Sequence, residues 1–375
     1  MDFQRPAGSA ANLVRGMLIT FKFKSPCFSR RFSDWAIEYV LVSATLTVAI
    51  PTFVPRDHLG RCLDALAAQS FRSFRAVVVD NSGMGLAREY ARGFDFVDVI
   101  ENSTNVGYGA AANQAFRRLP AEYFAVLNDD AAMRPECLEA LIGALSADGG
   151  AGMAAPRILL AGTETLDSAG MLLARDGSSI QRGHTRSAAS YDAPSEALFP
   201  SGCAAVYRSA MLAETGLFDE ALFLYHEDTD LGLRARWLGW RCLYVPEAEV
   251  EHQYSASSGR ASLTKAWYVE RNRLRTVWKL FPLPDLLAAH FYSVARYLLH
   301  ALSALSGHGR AAEFRAAGLP FWMLPWLVLK AHLHLMARLP EILRLRRRTP
   351  RRMTSRQFRA VLAAHRAGIG EVASH

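Results

Sequence analysis

A chain of 375 residues, 51% of them hydrophobic, is long and apolar enough for one large domain plus an appendage. Its five cysteines (Cys27, Cys62, Cys137, Cys203 and Cys242) are scattered, odd in number and without paired spacing, which argues against a disulfide framework or a zinc site and fits a reducing compartment. The net charge of +8 is concentrated in the last third, where Arg344, Arg346, Arg347, Arg348, Arg351 and Arg352 fall in one short run.

Up to about Ala44 the patterning is weak. Arg5 precedes a mildly apolar patch, but Lys22, Lys24, Arg30 and Arg31 interrupt it and no cleavage-like site follows, so no signal peptide is expected. The segment reads as a flexible or peripheral extension, or as an over-extended start. From Thr45 the character changes. Leu46 to Ile50 is a short apolar run ending at Pro51-Thr52, the pattern of a buried parallel strand. Asp57 is then expected to cap a helix whose apolar stripe is Leu59, Cys62, Leu63 and Leu66. Further buried runs follow at Phe74–Val79, closing on Asp80-Asn81, at Phe96–Ile100, closing on Asn102 to Asn105, and at Phe124–Leu127, closing on Asn128-Asp129-Asp130.

Strands alternating with helices predict an α/β fold with an open, mostly parallel sheet, and such sheets bind ligands beyond the carboxyl ends of their strands. Thr52, Asp80-Asn81, Asn105 and Asp129-Asp130 sit at four successive ends. Each could be an ordinary turn residue; the four together predict a nucleotide site. After Pro156 the text is less regular, with turns at Gly170, Asp176-Gly177 and Gly183, an apolar segment from Cys203 to Tyr207, and a helix around Ser209 to Thr215. Beyond Lys265 it is helical, with Pro282, Pro284, Pro320, Pro325 and Pro340 as expected breakers and a domain boundary near residue 282.

Three stretches carry chemistry. Asn105-Val106-Gly107-Tyr108-Gly109 runs into a helix, where glycines let backbone approach a ligand and the helix start offers free amides. Tight strand-to-helix packing would select the same residues. Asp129-Asp130 follows a buried strand, and Mg²⁺ usually takes one or two carboxylates plus substrate phosphates, so the pair suits a metal-diphosphate complex. The alternative is a cap for a helix over Pro135 to Leu145. Glu227-Asp228-Thr229-Asp230 leads a helix with Leu231, Ala235 and Leu238 on its inner stripe. The helix dipole favours acids there and Asp230 can pair with Arg234, but Glu227 and Asp228 follow the aromatic approach Phe223-Leu224-Tyr225-His226, which would wall a pocket. His252 ends a strand-like run, Val250 to His252, after Pro246, and is either a structural histidine or a ligand completing the carboxylate site.

Over roughly Leu46 to Leu280 these residues resemble the family 2 glycosyltransferases, inverting enzymes of GT-A fold. The likeness lies in Ile50-Pro51-Thr52, Val79-Asp80-Asn81-Ser82, Asn105-Val106-Gly107-Tyr108-Gly109, Asn113, Asn128-Asp129-Asp130, the block Glu227 to Leu231, and His252. The resemblance implies that Pro51, Thr52, Asp80, Asn81, Asn105, Gly107, Asn113, Asn128 and Asp129 line a nucleotide-sugar site, with Thr52 and Asp80 at the base and ribose. It implies that Asp130 holds Mg²⁺ or Mn²⁺, assisted by His252, that Asp228 is the general base, and that Glu227 recognises the acceptor. Asn128 stands where many relatives carry the first aspartate of the metal motif. The segment Glu270-Arg271-Asn272-Arg273 resembles rhamnosyl- and galactofuranosyl-type members, pointing to dTDP-rhamnose or a UDP-sugar as donor and a cell-surface glycan or lipid-linked acceptor.

In the last third, Leu286 to Leu305 and Leu319 to Leu329 mix apolar, aromatic and basic residues but are too interrupted or too short to span a bilayer. They read as helices lying at a membrane surface, aided by the arginine run, or as a bundle packed on the preceding domain. No nucleic-acid module accompanies the arginines. The implied location is the cytoplasmic face of the plasma membrane. Two other readings are a nucleotidyltransferase of related fold, which should show a Gly-rich Arg/Lys signature that Pro51 to Arg61 lacks, and a non-catalytic glycan- or lipid-binding relative.

Overall fold

In a computed structural model the described residues are 44–253, 262–305 and 323–374. Almost all of the expected amino-terminal extension lies outside them, as do Cys27, Leu319, Pro320 and Trp322. The chain runs β1 (Leu46–Thr52), α1 (Asp57–Ala67), β2 (Phe74–Asp80), α2 (Ala87–Ala91), β3 (Val97–Glu101), α3 (Tyr108–Arg118), β4 (Tyr123–Leu127), β5 (Ala131–Met133), α4 (Cys137–Ala147) and β6 (Ala151–Leu160). Short strands β7 (Leu166–Ser168), β8 (Met171–Leu173), β9 (Ser179–Gln181) and β10 (Ser195–Ala197) precede β11 (Ala204–Arg208), α5 (Ser209–Thr215), α6 (Glu227–Trp237) and β12 (Arg241–His252). Helices α7 (Leu263–Leu280), α8 (Leu283–Leu305), α9 (Met323–Arg348), α10 (Ser355–Ala364) and α11 (Ile369–Ser374) follow.

The main sheet has the order β10-β12-β6-β11-β4-β1-β2-β3, with β5 on β12 and β7 on β6. β1 is parallel to β2 and β4, β2 to β3, and β12 to β6, while β11 runs antiparallel between β4 and β6. Six strands therefore point one way. The period-2 alternation of β1 explains why both faces are covered. Leu46, Val48 and Ile50 pack with α1 and α4, whereas Ala49 faces the cluster built with α3, α5 and α6.

Several local expectations change. Asp57 is the first residue of α1 and makes no side-chain cap; it contributes only its charge at the helix amino end. Pro156, after which less regular structure is expected, and Pro246, expected ahead of a strand-like run, lie inside β6 and β12. Pro246 falls in the register irregularity between Val245 and Glu249, and Pro156 lies beyond the β11 pairing, which ends at Ala154. Neither position needs the missing N–H, which is where strands tolerate proline.

Pro284 and Pro325 sit in the first turns of α8 and α9, and Pro340 lies within α9, so of the expected breakers among the described residues only Pro282 separates helices. Pro340 and the residue one turn back, Met336, are exposed, so water can take the place of the lost N–H.

The carboxy-terminal helices pack on the rest through defined anchors. Ala331, Leu335 and Ile342 of α9 meet Leu274 of α7. Trp237, at the end of α6, stacks on Phe358 of α10 with ring centroids 3.9 Å apart, donates to Leu280 O at 2.8 Å, and accepts from the Arg352 and Met353 amides. Thr354 and Gln357 form a capping box at the start of α10. No helix among the described residues is long and apolar enough to cross a membrane.

Candidate active site

Because six strands share one direction, the carboxyl ends of β1, β2, β4 and β12 come to the same edge, where β11 begins. Thr52 Oγ1 donates to Asp129 Oδ2 at 2.5 Å, and His58 Nε2 lies 3.4 Å from that oxygen. The hydrogen bond to Asp129 raises the His58 pKa against the effect of burial. Neither Asp129 nor Asp130 caps α4, whose N-cap is Glu136, so the capping alternative falls away.

Asp130 is buried beside His252, with Oδ1 at 3.3 Å from Nε2. The other ring nitrogen, Nδ1, is 2.8 Å from Asp167 Oδ2, and Asp167 Oδ1 is 3.2 Å from His184 Nδ1. Burial opposes the charge on Asp167, but His184 and His252 hold its pKa low. Burial likewise opposes a charge on His252, yet Cys203, Asp130 and Asp167 raise its pKa well above the ordinary value.

A carboxylate on one imidazole nitrogen is the arrangement that orients a histidine toward a cation. Adjacent ligands of an octahedral Mg²⁺ with bonds of about 2.1 Å stand about 3 Å apart, close to the 3.3 Å between Asp130 Oδ1 and His252 Nε2. Among the described residues no three His, Cys, Asp or Glu side chains converge as a ligand set. The two donors therefore fit a cation that draws its remaining ligands from a diphosphate and water.

The second acidic cluster reaches the same edge through two residues preceding β11. Gly202 N donates to Asp228 Oδ2 at 3.0 Å, while Cys203 O accepts from Asn128 N at 2.7 Å and the Cys203 thiol touches His252. Tyr108 Oη also donates to Gly202 O. Asp228 and the Asn128–Asp130 segment are thus tied to adjacent residues although about a hundred positions separate them in sequence.

At the amino end of α6 Glu227 is buried and Asp228 is half-buried. Asp228 accepts from the Gly202 amide, from the Thr229 amide at 2.6 Å and from Thr229 Oγ1 at 3.1 Å. Glu227 Oε2 has no hydrogen-bond partner among the described residues. Burial and the charge of Asp228 push the Glu227 pKa up to about 8, and burial raises that of Asp228 as well. Hydrogen bonds to a carboxylate favour its charged form, which suits Asp228 to be the anion of the pair and Glu227 to be the more readily protonated member.

The approach to this pair is strained. Phe223, Tyr225 and His226 all adopt positive φ, at 65°, 66° and 70°, conformations that cost about 1–3 kcal/mol each for such residues. Asn272 on α7 holds them by donating to the carbonyls of Leu222, Leu224 and Tyr225 at 2.9, 2.8 and 2.7 Å, and Arg271 holds Ala221 and Leu222. Asn272→Ala is expected to lower unfolding stability by about 2–4 kcal/mol, because buried carbonyls lose their donor. A urea titration with an unchanged midpoint would show that the loop holds itself.

The remaining expected site residues divide. Gly107, at φ 90°, passes so close to Phe223 that a Cβ would lie 2.4 Å from its carbonyl oxygen, and Asn105 Oδ1 accepts from the Gly107 amide. Pro51 is buried in β1 opposite Val79, and Asn81 accepts from Asn102. Asp80 is fully buried with its oxygens on the Ser82 and Ala87 amides.

Asn113, expected at the nucleotide, donates instead to Phe218 O and Glu220 Oε1 and accepts from Phe218 N. Its amide is consumed in fixing α3 to the following turn. Sequence reasoning missed Asp167 and His58. A charged residue inside the otherwise apolar and small run Leu166-Asp167-Ser168-Ala169-Gly170 was the available signal for the first.

The family model described as Glycosyltransferase like family 2 matches residues 44–278. A Mycobacterium tuberculosis protein named N-acetylglucosaminyl-diphospho-decaprenol L-rhamnosyltransferase is 30% identical over 245 residues, covering 57% of this chain and 78% of that relative. Among solved structures, GalNAc-T7 with UDP, GalNAc and Mn²⁺ superposes with a TM-score of 0.55 at 15% identity, over 68% of this chain and 51% of that one, so the chain spans about half its length. The mannosyltransferase PcManGT from Pyrobaculum calidifontis, in complex with GDP-Man and Mn²⁺, gives 0.50 at 17% identity, over 77% and 86%. These likenesses show the GT-A fold.

Proposed function

The chain belongs to glycosyltransferase family 2, and from that premise we propose that it moves rhamnose or a similar sugar from a nucleoside diphosphate to a hydroxyl of a lipid-linked glycan acceptor, with inversion. The observation that carries this reading is the attachment of Asp228 and of the Asn128–Asp130 segment to neighbouring residues, Gly202 and Cys203. It supports an acceptor base beside a diphosphate site. The rhamnosyl choice and the lipid-linked acceptor are taken from the name of the M. tuberculosis relative, and dTDP-rhamnose is the donor to try first, with UDP-sugars next.

Asp228, ionised while Glu227 keeps the pair's proton, accepts the proton of the attacking hydroxyl. Glu227, protonated and with no partner for Oε2 among the described residues, is suited to hydrogen-bond the acceptor. Thr52 and Asp129 lie at the donor side, as do Asn105 and Gly107. Asp130 and His252, the latter oriented by Asp167, are the residues suited to hold Mg²⁺ or Mn²⁺, which when bound would stabilise charge on the leaving diphosphate. With one displacement and no covalent intermediate, the anomeric configuration inverts. Residues 45–281 are proposed as the catalytic domain and 282–375 as its helical appendage. The four described cysteines are free and buried, in keeping with a place on the cytoplasmic face of the plasma membrane.

Incubation of the full chain with a panel of sugar nucleotides, with and without Mn²⁺, tests the reading through release of nucleoside diphosphate. Turnover of one deoxyhexose donor, abolished by chelator, is expected. Release unaffected by chelator would remove the metal from the scheme, and no turnover of any donor would remove the scheme.

A further inference from the structure

Two helices that pack inward on α7 carry a second, outward apolar face. On α8 the inner side is occupied: Leu286 and Ala289 enter the main core, and Arg296 and Tyr297 bond Glu270 of α7. Its opposite side presents Leu283, Leu287, Phe291, Val294, Leu298 and Leu302, each between 57 and 78% exposed. Their spacing of four, four, three, four and four residues puts them on one helical stripe about 30 Å long. On α9 the inner positions Ala331, Leu335 and Ile342 meet α7, while Trp326, Leu329, Leu333 and Met336 are more than half exposed. Both helices reach Trp278 of α7: its ring lies 5.8 Å from that of His290 on α8, and Arg346 of α9 donates to its carbonyl at 2.9 Å.

Monomeric proteins rarely expose apolar rows of this extent without a use for them. The charge around these rows is one-sided. Arg344, Arg347 and Arg348 are exposed at the end of α9, whereas the acids of the two helices are neutralised: Glu341 by Arg275 and Arg338, and Asp285 by Arg359. A second copy of the chain would bring the same positive charge to the seam, while anionic headgroups neutralise it.

We propose that the outer faces of α8 and α9 form a membrane-docking surface, the apolar stripes lying in the acyl boundary and the arginines at the end of α9 on anionic headgroups. The choice of a bilayer as occupant leans on the lipid-linked acceptor proposed above; the exposed stripes do not. Docking of this kind needs no spanning helix, because an amphipathic face combined with basic residues binds reversibly in the interface. It would place an acceptor held in the membrane within reach of a site on a chain that rests on its surface.

The test is flotation of the full chain with vesicles of phosphatidylcholine, with and without phosphatidylglycerol. Flotation with the anionic vesicles is expected. The triple variant Leu287→Gln, Phe291→Gln and Leu298→Gln should lower partitioning by about tenfold or more. The variant Arg344→Ser, Arg347→Ser and Arg348→Ser should abolish the preference for phosphatidylglycerol and its salt dependence. Both alter exposed positions, so an unchanged unfolding midpoint accompanies the loss.

Failure of the wild type to bind either vesicle would overturn the proposal, as would binding indifferent to both variants. A dimer that the apolar variant converts to monomer would assign the stripe to a second copy and equally overturn it. Release of nucleoside diphosphate measured without vesicles reports separately on the catalytic reading.

Discussion

Asp228→Asn is expected to slow sugar transfer by about 10²–10⁴-fold while the enzyme still binds its donor, the range associated with losing a positioned general base. The geometry makes the substitution informative. Asp228 sits in the first turn of α6 and takes three hydrogen bonds, from Gly202 N, Thr229 N and Thr229 Oγ1. An asparagine oxygen can keep one backbone donor, but its NH₂ must then face the other, so some stability is lost along with basicity. Unfolding midpoints therefore accompany the rate measurement, and donor affinity is taken by calorimetry. A variant that folds, binds donor and transfers at the wild-type rate would move the base to another residue. A variant that fails to bind donor would instead point to a role for Asp228 at the nucleotide.

The other large effect concerns the proton beside it. Glu227 has its pKa pushed up to about 8 by burial and by the charge of Asp228, against an ordinary value of 4.5. The folded chain therefore holds a proton that the unfolded chain has released across that window. A raised carboxyl favours folding fully below the ordinary carboxylate range, and that contribution is lost as pH rises through about 8.

Glu227→Gln has nothing to ionise. The stability difference between variant and wild type should consequently shift in the variant's favour by about 3–5 kcal/mol between pH 4.5 and pH 9, the free-energy equivalent of the pKa shift. Groups away from Glu227 titrate alike in both proteins and cancel from the difference, while Asp228 loses its interacting partner in the variant. Denaturant unfolding of the two proteins at pH 4.5 and pH 9 reads it directly. A difference that does not move with pH would mean that Glu227 is ionised in the folded chain, and the division of roles between the two acids would have to be reversed.

What was legible in the sequence is what local periodicity encodes. The apolar runs at Leu46–Ile50, Phe74–Val79 and Phe124–Leu127 are strands β1, β2 and β4 almost to the residue, because a strand buried on both faces has no freedom to be anything but continuously apolar. The Asp230–Arg234 pair, at 2.7 Å, follows from the helical repeat alone. Family membership was legible for a related reason, since the motifs at the strand ends stay in place wherever the sheet does.

Contacts between distant segments were not legible. His252 and Asp167 lie 85 positions apart and meet because β6 carries β7 on one edge and β12 on the other. Asn113 turned from an expected nucleotide contact into a brace for Phe218 because α3 packs against that turn. Pro246 fits inside β12 because the register with β6 breaks at its position, and Pro156 fits inside β6 beyond the end of the β11 pairing.

Residue types and their spacing thus determined the sheet, the edge at which polar groups gather and the family. Only the tertiary structure decided which of two adjacent acids receives the hydrogen bonds that favour its charged form and which histidine nitrogen faces Asp130. Those outcomes depend on which amide or carboxylate another part of the chain brings within hydrogen-bonding distance, and a few ångströms of packing, invisible in any local repeat, settle them.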